Sequence, residues 1–303
     1  LRQLAELPAA RLLYEQALAS DRKTYGDDHP EVATRRNNLA GLLRQLGELS
    51  AARLLYEQAL ASDCKTYGDD HPEVATRRNN LAGLLRQLGE LPAARLLYEQ
   101  ALASDRKTYG DDHPRVATKR NNLALVLQDV GDLPAARVLL EQALAAGRKA
   151  YGDDHPKVAL RRDNLAAVLG QLGELPAARA LREQALASDL KTYGDDHPSV
   201  AKDRHNLAFL LRQLGDLPAA HILLEQALAS IRKTYGDNHP WVATCRWSLA
   251  VVLQELGDLR AAHILFEQAL ATLIAAYGDN HPTVTTVRHD LAALIEAERA
   301  ASS

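Results

Sequence analysis

The chain has 303 residues, with 36 Lys+Arg against 39 Asp+Glu and a formal net charge of −3. That balance leaves no electrostatic footprint for nucleic acid or an anionic membrane. No run of 18 apolar residues occurs, so no membrane span is expected, and no signal peptide opens the sequence.

The hexapeptide Tyr-Gly-Asp-Asp/Asn-His-Pro begins at Tyr25, Tyr67, Tyr109, Tyr151, Tyr193, Tyr235 and Tyr277, a period of 42 residues. A fixed period of that length predicts stacked units, each held up by its neighbours. Leu1–Leu4 align with Leu43–Leu46, the end of a helix. The chain therefore reads as starting inside a repeat, and with no methionine anywhere it reads as a fragment of a longer protein.

In chain order, a partial repeat over 1–28 comes first. Each full unit then begins with a helix A, in the first copy about Pro30–Leu46. Val32, Arg36, Leu39, Leu43 and Leu46 share one of its faces, apolar except for Arg36. Asp28 ahead of His29-Pro30-Glu31 reads as its N-cap, with Glu31 completing a capping box. Gly47 supplies the left-handed residue past the end. Helix B follows over about Ser50–Thr66, with Ala52, Leu55, Tyr56, Ala59 and Leu60 inward. Leu54 lies on its other side, as expected of a helix wedged between two neighbours. The short Gly-Glu/Asp-Leu-Pro link makes A and B antiparallel. Six such pairs fill 29–280, and a terminal helix A occupies 281–303. The expectation is an all-α right-handed superhelix, a single array over 1–303, with a concave side lined by A helices. Residues 7–48 and 49–90 differ only at Pro8/Ser50 and Arg22/Cys64, as after recent tandem duplication.

Leu39-Ala40 … Gly47 … Ala52 … Tyr56 … Ala59 matches the spacing of the tetratricopeptide repeat (TPR). The longer string His71-Pro72-x-Val74-Ala75-x-x-x-Asn79-Asn80-Leu81-Ala82 … Gly89 … Ala94 … Ala101-Leu102 … Lys107 … Gly110 resembles the 42-residue repeats of kinesin light chain. It is also similar to bacterial TPR-like arrays, including those trailing the nucleotide-binding domain of signalling ATPases. The resemblance covers essentially the whole chain. Arg36, Arg78 and Arg120 depart from it, standing where a bulky apolar residue is usual.

The resemblance implies a protein-interaction scaffold whose helix-A asparagines hold a peptide by its backbone. A carboxamide suits that task because it both donates and accepts. The candidate groove residues are Asn37, Asn38, Arg44, Asn79, Asn80, Arg86, Asn121, Asn122, Asn164, His205, Asn206, Phe209 and Trp247. Arg44 and Arg86 could add charge-assisted bonds to a carboxylate. The first asparagine slot changes down the array (Asn37, Asn79, Asn121, Asp163, His205, Trp247, His289). The second is steady from Asn38 to Asn206, then becomes Ser248 and Asp290. Two readings stand: the steady asparagine faces a ligand, or it bonds backbone or a neighbouring helix. Trp247 is either an anchor in the groove or filler between adjacent A helices, whereas Trp241, in a first turn, reads as a surface or loop-packing residue.

The seven hexapeptide histidines invite a metal, but equivalent residues in packed helices stand about 8–10 Å apart and zinc needs ligands at about 2 Å. They read as turn and capping residues. The acidic pairs beside them read as cap and dipole residues. No phosphate loop, serine elbow or cysteine–histidine motif occurs, so no enzyme activity, cofactor or metal is expected. Cys64 and Cys245 lie 181 positions apart, too far along a stacked array for a disulfide, which suits a reducing, cytoplasmic setting. The expected partner is a protein or peptide. The alternatives are end-to-end self-association into a longer superhelix, or a sensor or autoinhibitory arm of a larger signalling ATPase.

Overall fold

The computed structural model describes residues 2–302. They form two compact units, Leu1–Ala150 and Tyr151–Ser303. The first carries α1 (Arg2–Tyr25), α2 (Pro30–Gln45), α3 (Leu49–Tyr67), α4 (Pro72–Gln87), α5 (Leu91–Tyr109), α6 (Pro114–Asp129) and α7 (Leu133–Tyr151, whose last residue opens the second unit). The second carries α8 (Pro156–Gln171), α9 (Leu175–Tyr193), α10 (Pro198–Gln213), α11 (Leu217–Tyr235), α12 (Pro240–Leu256), α13 (Leu259–Tyr277) and α14 (Pro282–Ser302). Even-numbered helices are the A helices and odd-numbered ones the B helices, and no strand occurs among the described residues. Within each unit, consecutive helices pack as antiparallel pairs, and successive A helices touch, α2 on α4 on α6 and α10 on α12. Each unit is thus a stretch of all-α solenoid.

The hexapeptide builds each B-to-A turn, though not with the cap expected. The N-cap of α2 is His29: its Nδ1 accepts the backbone N–H of Glu31 at 3.2 Å, and Pro30 takes the first helical position. The imidazole is held edge-up by stacking on Tyr25, with ring centroids 4.6 Å apart. The same stack recurs in every copy through Tyr277–His281. Asp28 does not cap the helix. It faces Lys65 of the following B helix at 3.2 Å, while its carbonyl accepts the Ser62 hydroxyl. At the other end of α2, Gly47 adopts φ +80°, Gly47 N–H bonds Arg44 O, and Glu48 N–H bonds Leu43 O. This is the six-to-one closure that needs a left-handed residue. The first helix shows what happens without it: Ala5 stands in the slot of Gly47, and α1 runs unbroken from Arg2, merging the two helices expected there.

The core repeats with the sequence. Val32, Ala33, Leu39, Ala40 and Leu43 of α2 and Ala52, Tyr56 and Ala59 of α3 are buried, each large side chain contributing about 1.5–3 kcal/mol. In the second unit the corresponding cluster gathers Leu207, Leu211, Leu224, Ile231, Val242 and Leu249, with Trp241 packed against it. Trp241 also sits tilted on Tyr235, as its reading as loop packing required. Helix B is wedged as expected, α3 between α2 and α4, but Leu54 does not face the second neighbour. Leu54 is 56% exposed, and Leu12, Leu96, Val138, Ile222 and Ile264 are likewise exposed, because one side of each B helix has no neighbour. By length and composition α13 could cross a membrane (mean hydropathy 1.2). In this fold its Ala262, Phe266, Ala269 and Leu273 are buried in a cluster with Val284, Val287 and Leu294 of α14.

The arginine in the apolar face of each A helix is buried, and its charge is met by the turn that starts the helix. Arg36 donates through Nη1 to the Asp27 carbonyl at 2.6 Å and through Nη2 to Asp27 Oδ1 at 2.8 Å. Arg78–Asp69, Arg120–Asp111, Arg162–Asp153, Arg204–Asp195 and Arg246–Asp237 repeat the fork. A second arginine from the preceding B helix also grips the aspartate, as Arg22 does Asp27, Arg106 does Asp111 and Arg232 does Asp237. Hydrogen bonding from Arg22, Arg106 and Arg232 holds Asp27, Asp111 and Asp237 below the usual carboxylate range. Arg288, in the last A helix, keeps only the carboxylate contact and is half exposed.

We expect Arg120→Ala to lower stability by about 2–3 kcal/mol, the loss of two charge-assisted hydrogen bonds with one acceptor a turn carbonyl. Arg288→Ala should be much milder. Urea unfolding of both variants checks this, and equal losses would show that the fork is not what matters.

Candidate functional site

On the A-helix face of the first unit, the asparagines form a ladder between repeats. Asn80 Nδ2 donates to Asn37 Oδ1 at 2.9 Å, and Asn122 Nδ2 to Asn79 Oδ1 at 2.9 Å. Within a helix, Asn37 and Asn79 reach their own neighbours only at 3.4 and 3.3 Å. The second asparagine of each pair therefore bonds the preceding A helix, the packing reading. Asn121 is buried. Asn38 stays exposed at the start of the ladder.

Beside the ladder lie the arginines. Arg86 holds Asp129 of the next repeat through Nε at 2.5 Å and Nη2 at 3.2 Å. Gln87 stands where a partner for Arg44 would be, so Arg44 has no carboxylate and lies exposed over the next helix. A Cβ at Gly83 would come within 3.2 Å of both Arg44 Nη1 and the Tyr98 hydroxyl. The glycine is what lets the guanidinium and the phenol approach the backbone. Burial pushes the Tyr98 hydroxyl up, against the pull of Arg86 and Arg44.

In the second unit the same rungs carry different chemistry at the same spacing. Asn206 Nδ2 donates to Asp163 Oδ2 at 3.3 Å, His205 Nε2 meets Ser248 Oγ at 2.9 Å, and the Trp247 indole N–H donates to Asp290 Oδ2 at 2.8 Å. Asn164 lies on α8 and is half-buried. Arg212 holds Glu255 at 2.9 Å, as Arg86 holds Asp129. Arg182 takes the slot that Tyr56 and Tyr98 fill in the first unit, and its Nη1 stands 3.6 Å from Asp163. The asparagine-to-aspartate and tyrosine-to-arginine changes thus answer one another. Burial, assisted by Arg182, pushes His205 below the ordinary histidine value.

Here the face is no longer smooth. A hollow of about 250 Å³ opens between α10 and α12, lined by His205, Phe209, Arg212, Leu224, Trp247 and Val251, among others. Phe209 is 53% exposed. Trp247 packs on the α13–α14 cluster, as its filler reading expected, and it also lines the hollow. The sequence flagged both aromatics and held the neighbouring-helix bond of the second asparagine as one of two readings, but it could not name the partners, because a hydrogen bond between residues 43 apart leaves no local pattern. Among the described residues, no cluster of three His, Cys, Asp or Glu is arranged to hold a metal ion.

The tetratricopeptide repeat family profile matches residues 1–65, 115–191, 160–231 and 204–275, and a second profile of the same description matches 74–115. No curated protein matches the chain in sequence. Among solved structures, a kinesin light chain-type array of nearly identical TPR-like repeats from Podosopora anserina is 31% identical. The match covers 68% of this chain and 98% of that one, at a TM-score of 0.59. BtubC (BKLC) from P. vanneervenii, 24% identical over 79% of this chain and 93% of its own, has a TM-score of 0.61. The Pseudomonas aeruginosa protein pilF, 20% identical over 86% and 98%, has a TM-score of 0.55. The last two show likeness of fold alone.

His205 should titrate below about 6.5, the ordinary histidine value, when followed by NMR of its imidazole protons. Arg182→Gln should raise it part of the way. Because the unfolded chain takes up the proton first, stability should fall as pH drops through that range. An ordinary or raised pKa would contradict the burial of this ring.

Proposed function

Because the chain belongs to the tetratricopeptide repeat family, whose arrays generally serve as protein-interaction scaffolds, we propose that it binds a peptide segment along its A-helix face. The hollow beside Phe209 and Trp247 carries the reading. An exposed phenylalanine in the slot of Gly41 and Gly83 adds no core, and it borders an apolar recess large enough for one bulky side chain. Aromatic residues at a recess are typical anchors of binding energy. His205 and Arg212 at the rim provide polar contacts for the peptide main chain.

The first unit supports the same reading differently. Its rungs already use the carboxamide oxygens of Asn37 and Asn79, so the groups left for a ligand there are Asn38, the weakly engaged amide N–H groups, and Arg44. A carboxylate on the ligand would suit Arg44, which has none of its own. Asn80 and Asn122 serve the packing, and the peptide reading does not depend on them. Both cysteines are free, which fits the proposed reducing, cytoplasmic setting.

A random peptide library displayed against the full chain should enrich sequences with one large apolar side chain. Phe209→Asp, an exposed position, should weaken the enriched peptides at least tenfold, about 1.4 kcal/mol, and remove any change in Trp247 fluorescence on binding. Peptides that bind the variant unchanged, or a library with no enrichment, would dismiss the groove reading.

A further inference from the structure

One buried slot tells a story along the array. Arg35 pairs with Asp21 at 2.8 Å, Arg77 with Asp63 at 2.7 Å, and Lys119 with Asp105 at 3.8 Å. In the next copy the two positions hold Arg161 and Gly147, and one repeat later the cation is replaced by Asp203 opposite an acid, Asp189. One repeat later the pair is Cys245 and Ile231, and in the last it is Val287 and Leu273, all buried. The array thus passes from ion pair to apolar pair with one copy in which two carboxyls face each other.

Beside that copy lies a cavity of about 210 Å³ between α8, α9 and α10, lined by Pro156, Leu160, Asp189, Tyr193, Ser199 and Asp203 and equally by Asp163 and Lys202. These first six positions match, two repeats on, those around one side chain of the first unit. Arg115 takes the Ser199 position. Its Nη2 donates to the Pro72 carbonyl at 3.1 Å and to Thr76 Oγ1 at 2.8 Å. Its Nε stands 3.8 Å from Asp105, and its guanidinium lies 5.1 Å above the Tyr109 ring. In the second unit serine replaces that arginine, and the carbonyl, acid and ring positions are Pro156, Asp189 and Tyr193. The acids that would face the cation are 7% and 4% exposed, and Asp189 Oδ1 and Asp203 Oδ2 have no hydrogen-bond partner.

We infer that the cavity between α8, α9 and α10 is a binding site for a guanidinium group, carried by an arginine side chain of a polypeptide partner. The planar donor fork fits two carboxyls, and Tyr193 offers its ring as Tyr109 does for Arg115. A metal ion is disfavoured because, among the described residues, no group of three His, Cys, Asp or Glu is arranged to hold one. Lys202 Nζ lies 3.5 Å from Asp163 Oδ2 and Arg182 Nη1 lies 3.6 Å from Asp163 Oδ1. They pair with Asp163, and Lys202 also draws Asp189 and Asp203 down, but burial and the neighbouring acids outweigh it. The charged groups facing Asp203 are Asp163 from α8, Asp189 and Arg182 from α9, and Lys202 from its own helix, with His197 near Asp189. Burial, then Asp163 and Asp189, raise Asp203 to about 8, so the empty site stores a proton that an incoming cation displaces. The inference rests on the peptide-binding reading only for the source of the guanidinium.

The test is calorimetric titration of the full chain with acetyl-Gly-Gly-Arg-Gly-Gly-amide and its citrulline counterpart, which has the same shape without the charge. The arginine peptide should bind at least tenfold more tightly. Its affinity should rise from about pH 6.5 to about pH 9 as Asp203 gives up its proton, and Asp203→Asn should flatten that rise. Ser199→Arg, which rebuilds the Arg115 arrangement, should abolish binding with helical content retained. Phe209→Asp should leave this binding unchanged, which separates the two sites. Equal affinity for the citrulline peptide, or unaltered binding by Ser199→Arg, would overturn the inference. If Ser199→Arg does not fold, the near-isosteric Asp189→Asn/Asp203→Asn variant decides, and unchanged affinity there overturns it too. Ethylguanidinium binding as tightly as the peptide would overturn the polypeptide source.

Discussion

The fork from the buried arginine of each A helix to the aspartate at its own turn is the constraint on which the rest depends. A charge in the apolar face of a helix is tolerable only if it is fully met. Asp27 and its equivalents meet it with a carbonyl and a carboxylate nine residues away, on a turn whose shape is already set by glycine, proline and the stacked Tyr–His pair. The fork therefore ties the middle of helix A to its beginning and fixes how the chain leaves helix B. With the turn held in this way, neighbouring slots can change without moving the helices. The contrast between buried Arg246 and half-exposed Arg288 shows that burial depends on a following helix.

The slot of Arg35 and Asp21 shows that freedom in use. Buried ion pairs are weak stabilisers, since desolvation offsets much of the attraction, and well-packed apolar residues can replace them at little cost. The Cys245–Ile231 and Val287–Leu273 pairs are that replacement within one molecule. The Asp203–Asp189 pair is different. It brings two acids together in low dielectric, which costs stability unless a proton or another cation is supplied. A position that departs from both the polar and the apolar solution is where a functional constraint is most readily read.

The A-helix face follows the same logic. Rungs between residues in successive repeats persist while their chemistry shifts from amide–amide, through amide–carboxylate and imidazole–hydroxyl, to indole–carboxylate. The rung is structural, and what surrounds it is variable: arginine over glycine in the first unit, phenylalanine beside a hollow in the second. Function on such a face resides in the departures from the repeat.

The repeat, the helix pairs, the antiparallel links and the left-handed glycine after helix A, Gly47 in the first copy, were legible in the sequence, because period, glycine and proline act locally and report on backbone conformation directly. Phe209 and Trp247 stood out in it through their rarity, with anchor and filler left as competing roles for Trp247. The cap on helix A was misread at Asp28, since only the stacked tyrosine shows why the imidazole of His29 sits in place to accept. Leu54 was misread as buried, since periodicity marks an apolar face and cannot say whether a neighbour covers it. The arginine fork and the cavity beside Asp203 were decided by tertiary structure alone, and it also chose the neighbouring-helix reading of the second asparagine and named its partners. Each joins groups from different helices or across a turn, and whether a charge is met, shared or left waiting depends on which side chains packing brings within a few ångströms.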